Sequence, residues 1–353
     1  MMKKHWSRLG LLLLTLMLVL AACGQQADNG ESTEDPGDTE DAAEENATSN
    51  EVEDAKEAIT VGINQLVEHP SLDASREGFI QAFLDNGYTE GENITFDVQN
   101  AQGEQPNATS IANKFASDGV DLILAIATPA AQATAQAVTD IPILITAVTE
   151  PVEAGLADSW EAPGSNVTGT SDLNPVADQL SLIPEIAPDA KTVGIVYSSG
   201  EVNSEVQVEL AEEAAAELGL ELELVTVSNK SEVLQAAQSL IGKVDAFYVP
   251  TDNTVVDALE SMIQVAESEQ LPLIVGEGDS VERGGLATWG INYEKLGYQT
   301  GEMALRILEG EDPAGMAIET LENIELSVNT AAAERMGVEL PQSLIDKADH
   351  VID

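Results

Sequence analysis

Positive charge, cysteine and histidine are scarce in this sequence, and each scarcity removes a class of function. Lys and Arg total 14 of 353 residues against 63 Asp and Glu, a formal charge of −49. Neutralising a phosphate backbone takes clustered Lys and Arg, which the body of the chain lacks, so nucleic acid is excluded as a partner. The one cysteine, Cys23, makes no intrachain disulfide, and there is no CxxC or Cys/His cluster at zinc spacing, so no metal is expected. The nucleophile elbow G-x-S-x-G, the P-loop and H-E-x-x-H are missing too. With His5 near the start and His350 in the tail, His69 alone remains for acid/base work. Neither an enzyme nor a cofactor is expected, although counting residues does not exclude carboxylate-only chemistry of the glycosidase kind.

What the chain does have begins with an export pattern. Lys3, Lys4 and Arg8 precede an apolar run from Leu9 to Ala22. That run falls short of the roughly 20 residues a bilayer span needs, so residues 1–22 read as a signal peptide. Leu20-Ala21-Ala22-Cys23-Gly24 resembles a lipobox, in which the cysteine thiol takes a diacylglyceryl group and becomes the new N-terminus. Residues 23–58 follow as an acidic tether, with little apolar content to offset the entropy of ordering it.

Removing the +3 leader and the −12 tether leaves −40 on residues 59–353. The folded body is therefore itself acidic, far beyond the single-digit charge of ordinary domains. Few lysines and many surface carboxylates suit an extracytoplasmic protein in a saline or alkaline setting, where salt screens self-repulsion. A polycation-binding surface is the alternative.

From Ile59 onward short β-branched runs alternate with helical stretches. Thr60–Ile63, Ile94–Val98, Leu122–Ile126 and Ile141–Ile145 predict strands, with helices over Asp73–Asn86, Asn107–Ser117 and Pro129–Val138. After the Gly/Pro/Asn-rich stretch 162–169 the pattern starts again. Strands are predicted over Thr192–Val196, Leu220–Val225, Ala246–Val249 and Leu271–Val275, separated by helices that include Val255–Ser268. Near the end, Leu286–Ile291 and Ile318–Val328 read as strands around a helix over Lys295–Glu309, with a terminal helix over Thr330–Met336. Continuous apolar strands separated by helices imply parallel sheets covered on both faces, so two α/β lobes of like architecture are expected.

Ligands of doubly wound sheets sit outside the carboxyl ends of the strands. Those ends carry polar, small-residue segments here: 68–73, 128–132, 147–151, 170–172, 198–204, 250–253 and 276–280. Six segments taken in order, His69–Asp73 (HPSLD), Asn100–Gly103 (NAQG), Ala127–Ala133 (ATPAAQA), Pro163–Asp172 (PGSNVTGTSD), Pro250–Asn253 (PTDN) and Leu296–Ala304 (LGYQTGEMA), resemble ABC transporter substrate-binding proteins of the tryptophan/tyrosine-type branch. The resemblance covers nearly all of residues 59–353. It implies a type I periplasmic-binding-protein fold, with two doubly wound parallel-sheet lobes joined by a three-segment hinge. The lobes would comprise 59–171 plus 293–322, and 172–292 plus 323–353. It further implies capture of a small molecule, with an aromatic amino acid the leading class, by a monomer that docks on an ABC permease and its ATPase while lipid-anchored outside the cell membrane.

Type I amino-acid binders generally hold the α-carboxylate with hydroxyls and backbone NH groups of the first lobe and the ammonium with a carboxylate of the second. Thr128 stands before Pro129-Ala130-Ala131 at a helix start, where free NH groups favour an anion, and Ala147 and Thr149 follow the next strand. Thr128 serves equally as a helix cap. Asp172, Asp252 and Glu277 are the candidates for the ammonium, since a buried cation needs a paired carboxylate. Ser171, Asn203, Ser204, Thr251 and Asn253 offer hydrogen bonds, with turn and cap duties competing. His69 stands at the mouth of the expected cleft, or in a rigid His-Pro turn, and Trp289, Tyr293, Tyr197 and Tyr248 are candidate aromatic walls. A ligand sensor, a sugar or nucleoside binder, and a secreted α/β hydrolase remain alternative readings of the same scaffold.

Overall fold

A computed structural model describes residues 58–353. The signal peptide, Cys23 and the tether up to residue 57 lie outside the described residues. The first part of the body alternates strand and helix: β1 (Ile59–Gln65), α1 (Pro70–Asp85), β2 (Ile94–Asn100), α2 (Gln105–Asp118), β3 (Leu122–Ile126), α3 (Thr128–Ala137), β4 (Ile143–Val148) and β5 (Val167–Ser171). Next come α4 (Val176–Ile186), β6 (Thr192–Ser198), α5 (Val202–Leu218), β7 (Glu221–Val227), α6 (Val233–Ser239) and β8 (Ala246–Val249). These lead into α7 (Asn253–Val256), α8 (Leu259–Glu269), β9 (Leu273–Val275), α9 (Gly278–Arg283) and β10 (Ala287–Gly290). The chain finishes with α10 (Tyr293–Leu308), β11 (Glu319–Thr320), β12 (Glu325–Asn329), α11 (Thr330–Arg335), α12 (Gln342–Ile345) and β13 (His350–Ile352).

Two sheets result, ordered β11-β5-β4-β3-β1-β2 and β13-β12-β10-β9-β8-β6-β7. The core of each starts from its second strand, runs back to its first and then steps outward, which is the doubly wound order, and β12 against β10 is the antiparallel exception. The fully buried runs LILAI of β3 and ILITAV of β4 explain why these strands are central. Apolar helices cover both faces, a packing that parallel strands need. One apolar core surrounds the second sheet, and two smaller ones lie on the faces of the first. The chain passes between the sheets three times, after β5, after β10 and after β11.

The differences from the sequence expectation have local causes. The Gly/Pro/Asn-rich junction hides β5, whose five residues are all buried. Its Gly169 (φ 143°) passes so close to β4 that a Cβ would meet the Ile145 nitrogen at 2.6 Å, so the glycine permits pairing instead of breaking it. Helix α1 starts at Pro70, ahead of the expected Asp73, because a proline at the first helical position gives up only an N–H that is unbonded anyway. The helix expected over 255–268 is two, because Glu201 and Asp252 pin the turn of α7 while α8 swings to bury Leu259, Met262 and Ala266. The strand expected over 318–328 is likewise divided, since β11 joins the first sheet and β12 the second. His350 lies in β13, paired with β12, not in a loose tail.

Candidate functional site

Both sheets turn their carboxyl ends toward one cavity, lined by His69, Leu72, Ala147, Thr149, Asp172, Asn203, Thr251, Asp252, Asn253, Val256, Glu277 and Tyr293. The open space between these side chains is only about 10 Å3, so the walls are tightly shut on one another. Ligand pockets commonly run to roughly 300–1,000 Å3, so a molecule of amino-acid size enters only when these walls part. A larger groove beside it, of about 600 Å3, is lined by residues that include Glu325 and His350. There Glu325 pairs with Lys295 and shares a hydrogen bond with the His350 ring, so its carboxylate already has partners.

Three carboxyl groups face the cavity, and among the described residues no Lys or Arg lines it. Asp172, just beyond β5, accepts from the Thr149 hydroxyl at 2.9 Å and the Tyr293 hydroxyl at 2.8 Å. Burial pushes it up to about 6, with the charge of Glu277 adding to the rise and the two hydroxyls opposing it. Glu277, between β9 and α9, accepts from Ser280 at 2.8 Å and is pushed up to about 7 by burial and then by the Asp279 charge. Asp252 is spent structurally: it caps α7 through the Val255 NH and accepts from the Ser198 NH and the Ser204 hydroxyl. Burial and the nearby Glu201 shift it upward as well.

His69 is the residue before α1, buried to 6 % exposure, and neither ring nitrogen has a hydrogen-bond partner among the described residues. Burial, then the Arg283 charge, push it down to about 4, while the nearby Asn253 works the other way. Asn203, in the first turn of α5, gives its Nδ2 to the Thr251 carbonyl at 3.1 Å and to Glu201 at 3.3 Å, leaving Oδ1 without a donor. Ala147 holds φ 54° where the β4–β5 register slips, an unfavourable conformation for alanine that the surrounding strands impose.

The structure thus brings together His69, Ala147, Thr149, Asp172, Asn203, Thr251, Asp252, Asn253 and Glu277. Five candidates fall outside the lining. Thr128 is the first residue of α3, with Ala127 (φ 79°) in the capping position, and its buried hydroxyl has no partner among the described residues. Pro129 lines a separate cleft and Ala130 belongs to a core. The Ser171 hydroxyl bonds the Thr149 carbonyl and the Leu173 NH, and Ser204 serves Asp252. Of the candidate aromatic walls, Trp289, Tyr197 and Tyr248 pack in the second core, where the Tyr248 hydroxyl bonds Gln179 at 2.6 Å. Tyr293 alone reaches the cavity, and there it serves as a hydrogen-bond donor to Asp172 besides being a wall. Sequence reasoning missed Leu72 and Val256 as apolar walls. It also missed Glu201, which holds the backbone and side chains of Asn253 and Thr254. Spacing from the strand end is the signal that would have found Leu72.

Comparison with known proteins agrees with this geometry. A tyrosine-binding protein of Clostridioides difficile (strain R20291) is 48% identical over 280 residues, 79% of this chain and 81% of that protein. The structure matches an ABC domain from Streptococcus pneumonia in complex with L-Trp with TM-score 0.81 and 34% identity, over 84% of this chain and 100% of that one. It matches a ligand-free, open substrate-binding protein with adhesive properties from Clostridium difficile with TM-score 0.64 and 47% identity, over 84% and 99%. Residues 60–352 match the family described as ABC transporter substrate binding protein. Two doubly wound sheets closing on one small cavity, in a chain matched by that family over nearly its whole body, place this protein in the ABC transporter substrate-binding family.

Proposed function

We propose that the chain captures one aromatic amino acid between two halves, 59–171 plus 293–322 and 172–292 plus 323–353, and hands it as a monomer to an ABC permease and its ATPase. The observation that carries the reading is the pair Asp172 and Glu277, two buried carboxyl groups facing a closed cavity whose described lining supplies no cation. A ligand ammonium between them replaces two unfavourable buried charges with a paired set. The carboxylate goes to backbone amides at the strand end around Ala147 and Thr149. Leu72, Val256 and the Tyr293 ring supply apolar wall. The better superposition on the L-Trp complex than on the more similar open relative supports a closed arrangement of the halves, and the names of the relatives support the aromatic class.

A thermal-shift panel tests this. Ligand at about 100 times its Kd stabilises a protein that binds it only when folded by about 2.7 kcal/mol, several degrees in Tm. Tyrosine, tryptophan or phenylalanine is expected to give that shift, and sugars and nucleosides none. Silence from every amino acid ends the substrate assignment.

Family members work outside the cytoplasm, and Cys23 is the proposed lipid attachment site. Cys23→Ala is expected to move the protein from the membrane fraction to the soluble fraction. Its retention in membranes would show that the anchor lies elsewhere.

A further inference from the structure

Two of the polar groups lining the cavity are incomplete in a way that amino-acid backbone recognition does not explain. His69 offers two unpartnered ring nitrogens and Asn203 an unpartnered Oδ1, and both residues are more than nine-tenths buried. The Asn203 amide cannot be turned round without cost, because its Nδ2 already donates to the Thr251 carbonyl and to Glu201. Reversal would aim oxygen at oxygen. Oδ1 therefore asks for a donor, and with the Glu201 carboxylate beside it this place repels a ligand carboxylate. The neutral His69 ring carries one donor and one acceptor.

The bonded partners of the two ends differ. Asp172 is held by Thr149 and Tyr293 and Glu277 by Ser280, whereas Asn203 shares the Glu201 carboxylate with Asn253, the residue beside His69. The ammonium place and the His69 place are thus separate, and the ligand's far end falls to His69 and Asn203.

We propose that His69 and Asn203 together read a hydroxyl on the ligand's ring, so that the site prefers tyrosine to tryptophan and tryptophan to phenylalanine; this rests on the aromatic amino-acid reading above. A phenol O–H donates to Asn203 Oδ1 and accepts from the His69 N–H, completing a partner on each residue. An indole N–H donates only, and completes one. A phenyl ring completes none and leaves both buried groups unpaired, the situation in which a site built for a hydroxyl discriminates most strongly.

The test is calorimetric titration of the wild-type protein, His69→Phe and Asn203→Ala with tyrosine, tryptophan and phenylalanine. Wild type is expected to bind in that order, with phenylalanine weaker than tyrosine by about tenfold or more. Each variant is expected to collapse the tyrosine-to-phenylalanine ratio toward one. His69→Phe gives up no more than the weak interaction of the ring with Asn253, so it keeps the test open if Asn203→Ala fails to fold. Equal wild-type affinity for tyrosine and phenylalanine, or a ratio unchanged in His69→Phe, overturns the assignment while leaving aromatic capture intact. Absence of binding by all three overturns both.

Discussion

Gly297→Ala is expected to destabilise the folded body by about 3 kcal/mol and lower its Tm by roughly 6 to 12 °C. Helices α1 and α10 touch backbone to backbone. A Cβ on Gly297 would sit 2.6 Å from the Ser75 carbonyl carbon, and one on Gly78 would sit 2.9 Å from that of Glu294. A Cβ on Gly301 would sit 2.5 Å from the Ala82 Cβ one turn further on. These neighbours are mostly main chain, so no rotamer change relieves the clash and the helices must part. Parting them strips contacts from Phe79, Leu296 and Met303, all fully or almost fully buried. It also displaces the site, because His69 precedes α1 and Tyr293 opens α10. Thermal melts check the prediction against Gly315→Ala, where a Cβ meets nothing within 4 Å and little change is expected. A Gly297→Ala melt matching wild type would refute the close helix contact.

Asp172→Asn and Glu277→Gln are each expected to weaken ligand binding on the order of 100-fold, because each removes half of the charge that pairs with the ammonium. Asp252→Asn acts differently. Its oxygens hold the Ser198 NH, the Ser204 hydroxyl and the Val255 NH, so the loss appears as stability. The sign of the pH dependence follows from the same acids. Asp172 rises from 3.8 to about 6 and Glu277 from 4.5 to about 7 on folding. The folded protein therefore binds more protons than the unfolded one, and the stability this contributes is full below about pH 4 and lost as pH rises through 6 to 7. His69 opposes it, since a fall from 6.5 to about 4 gives stability present above 6.5 and lost as pH falls through 4. An arriving ammonium draws both acids back to the ionised form, so affinity rises from pH 5 to 8 and protons are released on binding. Titrations in buffers of different ionisation enthalpy measure that release. Glu277→Gln should flatten the slope, and a Kd independent of pH in the wild type would remove the ammonium from between these acids.

The alternation of apolar strands and helices was legible because burial writes itself locally. ILITAV and LILAI can hardly be anything but covered strands, and ligand groups at strand ends follow from doubly wound geometry. Where a local rule met a nonlocal contact, the reading failed. Pro163–Asp172 looks like a linker until β4 is beside it, and the glycine that suggests a break is the residue that lets two backbones meet.

The site divides the same way. The amino-acid sequence by itself determined the class of fold, the loops that face the ligand and the short list of acids, since these depend on residue type and on spacing along the chain. Only the tertiary structure decided that Asp252 is occupied, that Asp172 is held by Thr149 and Tyr293, and that His69 and Asn203 lack partners. The bonds concerned join residues 23 to 121 positions apart. A carboxylate's role is set by which donors reach it through space, and no period along one strand or helix carries that information.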